Sequence, residues 1–390
     1  MKQNVSIKNL EILTRIVCTF AFTLFTLFYL YFFQADLLTV MQHVLSKGQT
    51  HYNHLVGAIL ITLVLLLIQV GVFNMCRKAH VAWSLTFIPS TLCLVFLTDI
   101  RQSTQGGLLE FGGWTYGLPI ALLLFGISVW WAKISGLSER IKFAMGGNVR
   151  SLWMNLLMIL VLILIACFCG NTDSYYHARI HMEQAIMNND YDEALNTSQR
   201  LVNNKPDRNI TMLTAYALSK RGELAESLFE YNPSGGAMAL MPDGRTVKFE
   251  LLPDSSFYSF LGGWYLQRMS TMKYLDYTIR RHRMTRRAVD YLLCGYLMDK
   301  ELDKFADKVV KYYMVNDSTP LPKHYKEALV LYNHMRSNPF VIYKDNVMDA
   351  DFQDYQKLEK TIHDSSQRQT ALRDSYGNTY WYYYQYIGIK

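Results

Sequence analysis

Charge is scarce in the first 170 residues of this 390-residue chain, which hold 11 Lys or Arg and 5 Asp or Glu. Proline is scarce there too, with only Pro89 and Pro119. So few charges exclude an ordinary water-facing surface for this half, and so few prolines leave long helices uninterrupted. Cysteine is missing where it would matter for a secreted domain. Of Cys18, Cys76, Cys93, Cys167, Cys169 and Cys294, only the last lies clear of apolar segments. The second half therefore has no intradomain disulfide and must be held by packing, with Cys294 expected as a small buried hydrophobe. No glycine-rich phosphate cradle follows a strand, and no histidine or cysteine spacing matches an established zinc motif. Residues 171–390 hold 28 basic and 27 acidic side chains, so the net charge of +7 sits almost wholly in the first half. Nucleic acid is excluded as a partner, because binding a polyanion needs a clustered excess on a soluble face.

What is present is apolar length. Five nearly uncharged runs predict about five membrane-spanning helices, over about 13–33, 55–73, 81–98, 114–132 and 152–170, since ~20 residues at 1.5 Å rise cross ~30 Å of hydrocarbon. The fourth run, broken by Pro119 and Gly126, is the weakest of the five. The expected fold class is all-α: a polytopic transmembrane bundle over residues 1–172, then a soluble tetratricopeptide-like helical-repeat domain over 173–390 with a small inserted β-hairpin. Lys2, Lys8, Arg15, Arg77, Lys78, Lys133, Arg140, Lys142 and Arg150 fall on one side of the spans, against Lys47 and Arg101 on the other. That asymmetry predicts a cytoplasmic N-terminus and, after an odd number of crossings, a helical domain outside the cytoplasm. Trp83, Trp130, Trp131 and Trp153 would mark the inner interface, with Tyr31 and Trp114 near the outer one. The first run is too long for a signal-peptide core, and bulky Phe168 beside Cys169 argues against a lipoprotein box at Leu164 to Cys169.

Polar residues gather in the two outer connections: Asp36, His43, His51 and His54 after the first run, and Asp99, Arg101 and Glu110 after the third. Imidazoles and carboxylates are zinc ligands, so Asp36 with the three histidines is one reading of this outer mouth. Histidines lying at headgroup level, with Asp36 paired to Arg101, is the other. The glycine-rich stretch from Gln102 to Pro119 reads either as a re-entrant loop or as a flexible cap. No residue stands out as catalytic, cofactor-binding or metal-ligating, and no cofactor is implied.

Beyond Tyr175 the pattern turns to short amphipathic helices. In YHARIHMEQAIMNNDYDEALNTSQRLVNNKPD a first helix runs to about Met187, and a second places Tyr191, Ala194, Leu195 and Leu201 on one face before Pro206. Aromatic, small residue and proline at these spacings is the tetratricopeptide arrangement. Further pairs are predicted around Met212 to Phe229, Ala288 to Tyr313 and from Pro322 to Met335. Between them, AMALMPDGRTVKFELLP reads as a hairpin about Asp243 and Gly244. Arg280, Arg281, Arg283, Arg286 and Arg287 form the one dense basic cluster outside the membrane half, fitted to anionic headgroups or an acidic glycan, or else to the domain's own acids. The terminus carries Tyr380, Trp381, Tyr382, Tyr383, Tyr384 and Tyr386, which must pack on the domain's last helices or on a partner, a glycan or the membrane interface.

Together, YLYFFQADLL at the end of the first run, LPKHYKEALVLY near residue 330 and the aromatic terminus resemble an uncharacterised family, a domain of unknown function, of Bacteroides-type inner-membrane proteins. The resemblance spans essentially the whole chain. It implies a bacterial inner membrane and a periplasmic domain, and it carries no catalytic residues. The functional expectation is a membrane-anchored scaffold or assembly component that binds another envelope protein. An enzyme acting on a lipid-linked or glycan substrate at the outer mouth is the alternative. Transport fits less well, for want of an internal repeat among the spans.

Overall fold

The computed structural model describes residues 2–76, 82–101, 110–135, 149–201, 207–264, 269–281, 285–313, 315 and 321–387. The chain is helical and divides into two compact units, Met1–His177 and Ala178–Lys390.

In the first unit, α1 (Lys2–Phe28) runs on into a π-helical turn (Tyr29–Phe33) and is followed by α2 (Ala35–Leu45), α3 (His54–Cys76), α4 (Ile88–Thr98), α5 (Trp114–Ile134) and α6 (Val149–Cys169). Four stretches are long and apolar enough to cross a membrane: Leu10–Phe33, His54–Cys76, Trp114–Ile134 and Ser151–Cys169. The third expected span is a shorter apolar element, Trp83–Thr98. It opens as a 3₁₀ turn, Trp83–Phe87, because Pro89 in the first turn of α4 has no N–H to continue an α-helix backwards. Side chains of Cys18, Phe22, Leu65, Phe87, Leu94, Val95, Ile159 and Ala166 interlock in the bundle core. Polar residues there join helices: Gln69 Nε2 donates to Thr86 Oγ1 at 2.9 Å, Ser90 Oγ to the Leu65 carbonyl at 2.7 Å, and Asn155 Oδ1 accepts the Ser84 N–H at 3.1 Å. In hydrocarbon such bonds replace the hydrophobic drive that helix association lacks. The described strands are one antiparallel pair, β1 (Ile100–Arg101) and β2 (Glu110–Phe111), at the two ends of the connection between α4 and α5. The cations Arg77, Lys78, Arg140 and Lys142, and the glycine-rich residues 102–109, lie outside the described residues.

The second unit continues with α7 (Ser174–Met187, whose first turns belong to the first unit), α8 (Tyr191–Leu201), α9 (Arg208–Arg221), α10 (Leu224–Ser227), α11 (Asp254–Phe260), α12 (Thr271–Arg280), α13 (Arg286–Met298), α14 (Leu302–Tyr312), α15 (Lys323–Met335), α16 (Asn346–Thr361), α17 (Ser365–Tyr376) and α18 (Tyr380–Tyr386). Helix α9 is central, with every residue from Asn209 to Ser219 buried. Asp207 caps it by accepting the Asn209 and Ile210 amides, and Gly222, at φ 81°, ends it in the left-handed region. On α14, Leu302, Phe305, Ala306 and Val309 form the buried stripe expected of an amphipathic helix. The helices predicted between Tyr175 and Met335 are present, except that the second of the Met212–Phe229 pair shrinks to the four residues of α10, with Leu228 and Phe229 in a following 3₁₀ turn.

The expected hairpin does not form. Its turn does: Asp243 Oδ1 accepts the amides of Arg245, Thr246 and Val247, and the Asp243 N–H reaches the Val247 carbonyl at 2.8 Å. The arm before it is a 3₁₀ turn, Gly236–Leu240, and the arm after it gives its amides to side chains of other helices. Lys248 N donates to Asn209 Oδ1, and Glu250, Leu251 and Leu252 donate to Glu183. With the Lys248, Glu250, Leu251 and Leu252 amides committed elsewhere, the second arm cannot form a ladder with the first.

Candidate functional site

The polar residues at the end of the bundle converge on Asn171, just past α6. Its N–H donates to the Thr98 carbonyl at 2.8 Å and its Nδ2 to the Ile100 carbonyl at 2.6 Å. Its own carbonyl accepts from Gln34 Nε2 and lies 3.3 Å from His177 Nε2. Gln34 also donates to the Tyr29 hydroxyl at 3.0 Å, and that hydroxyl donates to the Ala166 carbonyl at 3.2 Å. Gly170 lets these groups meet, because a Cβ there would overlap the Tyr29 hydroxyl and press on Thr98 Oγ1. The π-helical turn opens the ladder of the first helix at this level, a distortion frequent at functional sites.

The two outer carboxylates take partners from this chain. Asp36 pairs with His177, Oδ2 to Nδ1 at 3.9 Å, and not with Arg101. Arg101 reaches back two residues to the buried Asp99 at 3.2 Å, and Asp99 Oδ2 faces the Trp114 N–H at 3.5 Å. The correction has a simple cause: the β1–β2 pairing brings Gly112 against Asp99, where any Cβ would collide with the carboxylate, and holds Arg101 beside it. Burial works against the charged form of His177, and the Asp36 hydrogen bond, the Asn171 carbonyl and the charges of Asp36 and Asp173 outweigh it, so its pKa is raised. His43 shifts the other way, through burial and the neighbouring His51. His54 lies tilted against Tyr52, with ring centroids 5.7 Å apart. Among the described residues, no three His, Cys, Asp or Glu side chains gather as they would round a metal ion. For Glu110 the description extends to its backbone pairing with Arg101.

The arginine cluster does not act as one group. Arg280 is paired with Asp276 at 2.7 Å, Arg281 lies over the Tyr277 ring, and Arg286 lies over Tyr313. Arg287 sits 4.4 Å from the Phe260 ring centroid, and Arg283 is outside the described residues. At the C-terminus, Tyr380, Trp381, Tyr382 and Tyr383 are buried within their own unit. Tyr380 and Tyr383 donate through their hydroxyls to the Leu297 and Met298 carbonyls, and Trp381 Nε1 donates to the Glu327 carbonyl. Four of the six terminal aromatic residues are thereby withdrawn from any partner, leaving Tyr384 and Tyr386 partly exposed.

Three features escaped sequence reasoning. Glu183 is fully buried and accepts the amides of Glu250, Leu251 and Leu252, the shortest at 2.7 Å, beside an Arg179–Glu250–Lys248 ion cluster. Burial pushes its carboxyl up to about 7, against the pull of the Leu251 and Glu250 amides and Arg179. His324 and Glu327, both buried, pair at 2.9 Å, and the same carboxylate accepts the Tyr380 N–H. Asp290 accepts from the Tyr313 and Tyr325 hydroxyls, and burial raises the thiol of its neighbour Cys294. The Glu183, Arg179–Glu250 and Asp290 hydroxyl contacts join segments far apart in sequence, whereas His324 and Glu327 stand at i, i+3 on one helix face, a spacing that was an available signal.

No curated protein and no solved structure matches the chain. A family model, described as a family of unknown function (DUF6057), matches residues 107–265 and 264–387. Those two stretches take in well over half of the sequence, and the chain belongs to that family.

Proposed function

We propose that this chain is a multi-pass protein of a bacterial inner membrane whose Ala178–Lys390 unit stands on the periplasmic side and docks another envelope protein. The observation that carries the reading is an apolar projection held rigidly on the second unit. Phe340, Ile342 and Val347 are 75%, 70% and 69% exposed within eight residues. Phe340 and Ile342 stand on a loop and Val347 in the first turn of α16, and the segment is tied down: the Phe340 N–H donates to the Tyr332 hydroxyl, Asn333 Nδ2 to the Tyr343 carbonyl, and Asp345 caps α16. Large apolar side chains presented on an ordered loop are the usual mark of a protein-binding surface. The short helices stacked in succession support a tetratricopeptide-like platform behind it. Trp83–Thr98, lengthened by its 3₁₀ start, reaches about 26 Å, which supports a fifth crossing and, with the nine-to-two cation asymmetry, a cytoplasmic N-terminus. The alternative reading, an enzyme at the outer mouth, is weakened because Asp36 and Asp99 are engaged by His177, Arg101 and the Trp114 amide.

The test is photocrosslinking in intact cells from a benzoyl-phenylalanine placed at Phe340 or Ile342, followed by mass spectrometry. One dominant envelope protein is expected at both positions, with co-purification lost in Phe340→Asp at unchanged abundance. Crosslinks to lipid alone, or none from either position, would remove the docking reading.

A further inference from the structure

The cations of the second unit differ in how they are neutralised. Arg221 is held by Asp192 and Glu223, Arg280 by Asp276, and Arg286 lies beside Asp290 and Tyr313. Lys220 and Arg287 instead share one aromatic ring. Lys220 Nζ and the Arg287 guanidinium each sit 4.4 Å from the centroid of one ring, Phe260, so the two charges are no farther apart than twice that distance. Neither has a carboxylate partner among the described residues. The segment Arg281 to Arg287 also contains no Asp or Glu to supply one. The surroundings are aromatic: Lys220 also lies 5.2 Å from the Tyr216 ring centroid, and Tyr216 packs edge-on to Phe260. Burial and the Arg287 charge both lower the Lys220 pKa. Arg286 and Arg287 open α13 with no acid in its first turn, where the helix dipole disfavours cations. Like charges held this close repel, and an anion bound to both would offset the repulsion.

We propose that Lys220 and Arg287, gathered on the Phe260 ring, form a phosphate-binding site. A phosphate suits the pair better than a carboxylate. The Arg fork takes two oxygens and leaves a third for the ammonium, whereas a carboxylate's two oxygens are spent on the fork alone. Phe260, half-buried, offers apolar contact to whatever carries the phosphate. The sequence cluster pointed towards anions, but its effective member is Arg287, and its partner Lys220 comes from the end of α9, 67 residues earlier.

The experiment uses the full chain in phosphatidylcholine nanodiscs, titrated calorimetrically with inorganic phosphate at ionic strength held constant by chloride. Saturable 1:1 binding is expected, weakened about tenfold or more in Arg287→Gln and in Lys220→Met, as loss of one charge-assisted contact implies. It should be unchanged in Arg281→Gln, whose cation lies over Tyr277. Arg287 is exposed, so its variant keeps the fold, which an unchanged melting curve verifies. Repeating the titration in discs containing phosphatidylglycerol separates the sources: competition identifies a lipid headgroup, and undiminished binding a water-borne phosphate. No saturable binding, or binding equally strong in Arg287→Gln, would overturn the assignment.

Discussion

Both units bury neutral polar side chains, but the second also buries Arg179, Glu183, Lys248, His324 and Glu327, whereas among the described residues of the first the buried charged side chain is Asp99. In the bundle the buried polar side chains are mostly neutral, as with Gln34, Thr62, Gln69, Ser90 and Asn155, and several of them bridge helices by single hydrogen bonds. In the second unit Glu183, Arg179, His324 and Glu327 are buried as well: Glu183 collects amides from a distant segment, and Glu327 takes His324 of its own helix together with the distant Tyr380 N–H. On the proposed reading, lipid as solvent would account for the first pattern: an unfolded but inserted helix keeps its backbone bonds, and its polar side chains find other partners, so each bond adds little. Water explains the second, because removing a carboxylate from water is costly unless every lone pair is met. Charge in the interior of the second unit therefore marks where several segments are tied together at once, while the bundle spreads its joints over many single bonds.

The sharpest break of that comparison is Glu183→Ala. It leaves the Glu250, Leu251 and Leu252 amides without their acceptor and Arg179 with one carboxylate fewer nearby. The expected loss is about 3–5 kcal/mol in the second unit, read by denaturant unfolding of the full chain followed through protease susceptibility after Ala178. A loss below ~1 kcal/mol would show that the clasp around Glu183 is not a keystone. Glu183→Gln should cost less, because an amide oxygen still accepts.

Acidity gives a second test on the same residue and on His177. The Glu183 carboxyl goes from an ordinary 4.5 up to about 7 on burial. The folded state thus holds this proton more tightly than the unfolded one. Its contribution is fully present below about 4.5 and declines as pH rises to about 7, by up to about 3 kcal/mol. His177, also raised, adds stability below its ordinary 6.5 that is lost as pH rises through the folded value. Melting temperature of the wild type should therefore fall between pH 5 and pH 8. Glu183→Gln should flatten the lower part of that slope, and His177→Gln or Asp36→Asn the upper part, by on the order of 1 kcal/mol. A wild-type profile that rises over this range would reverse both assignments.

How much of this was legible in the sequence depended on the range of the interaction. Apolar runs and amphipathic spacing located the helices, and Asp207, Gly222, Asp345 and Thr379 act as the caps their residue types suggest. The dipeptide Asp243-Gly244 correctly marked a turn, but which acceptor takes the amides after it depended on Glu183 and Asn209, 67 and 39 residues from their partners. Asp36 and Arg101 looked like a natural pair by charge alone. A two-strand contact gave Arg101 to Asp99, and His177, inside a stretch read for its repeat pattern, took Asp36. The arginine cluster was visible as composition, whereas the ring joining Arg287 to Lys220 is a tertiary contact with no local signature.

The smallest effect tests the other side of the comparison. Gln69 and Thr86 are both buried, 1% and 0% exposed, and are joined at 2.9 Å across the bundle core. By soluble-protein reasoning, Gln69→Leu would strand Thr86 and cost several kcal/mol. Thr86 Oγ1 also donates to the Trp83 carbonyl at 2.6 Å, however, and the unfolded inserted helices have alternative partners of their own. The expected cost is therefore about 0.6 kcal/mol, measured by a double-mutant cycle with Thr86→Val using steric trapping or sodium dodecyl sulfate unfolding in mixed micelles. A coupling near that of the Glu183 clasp would mean that the bundle interior behaves as a water-soluble core does, and the contrast between the two units would fail at its weaker end.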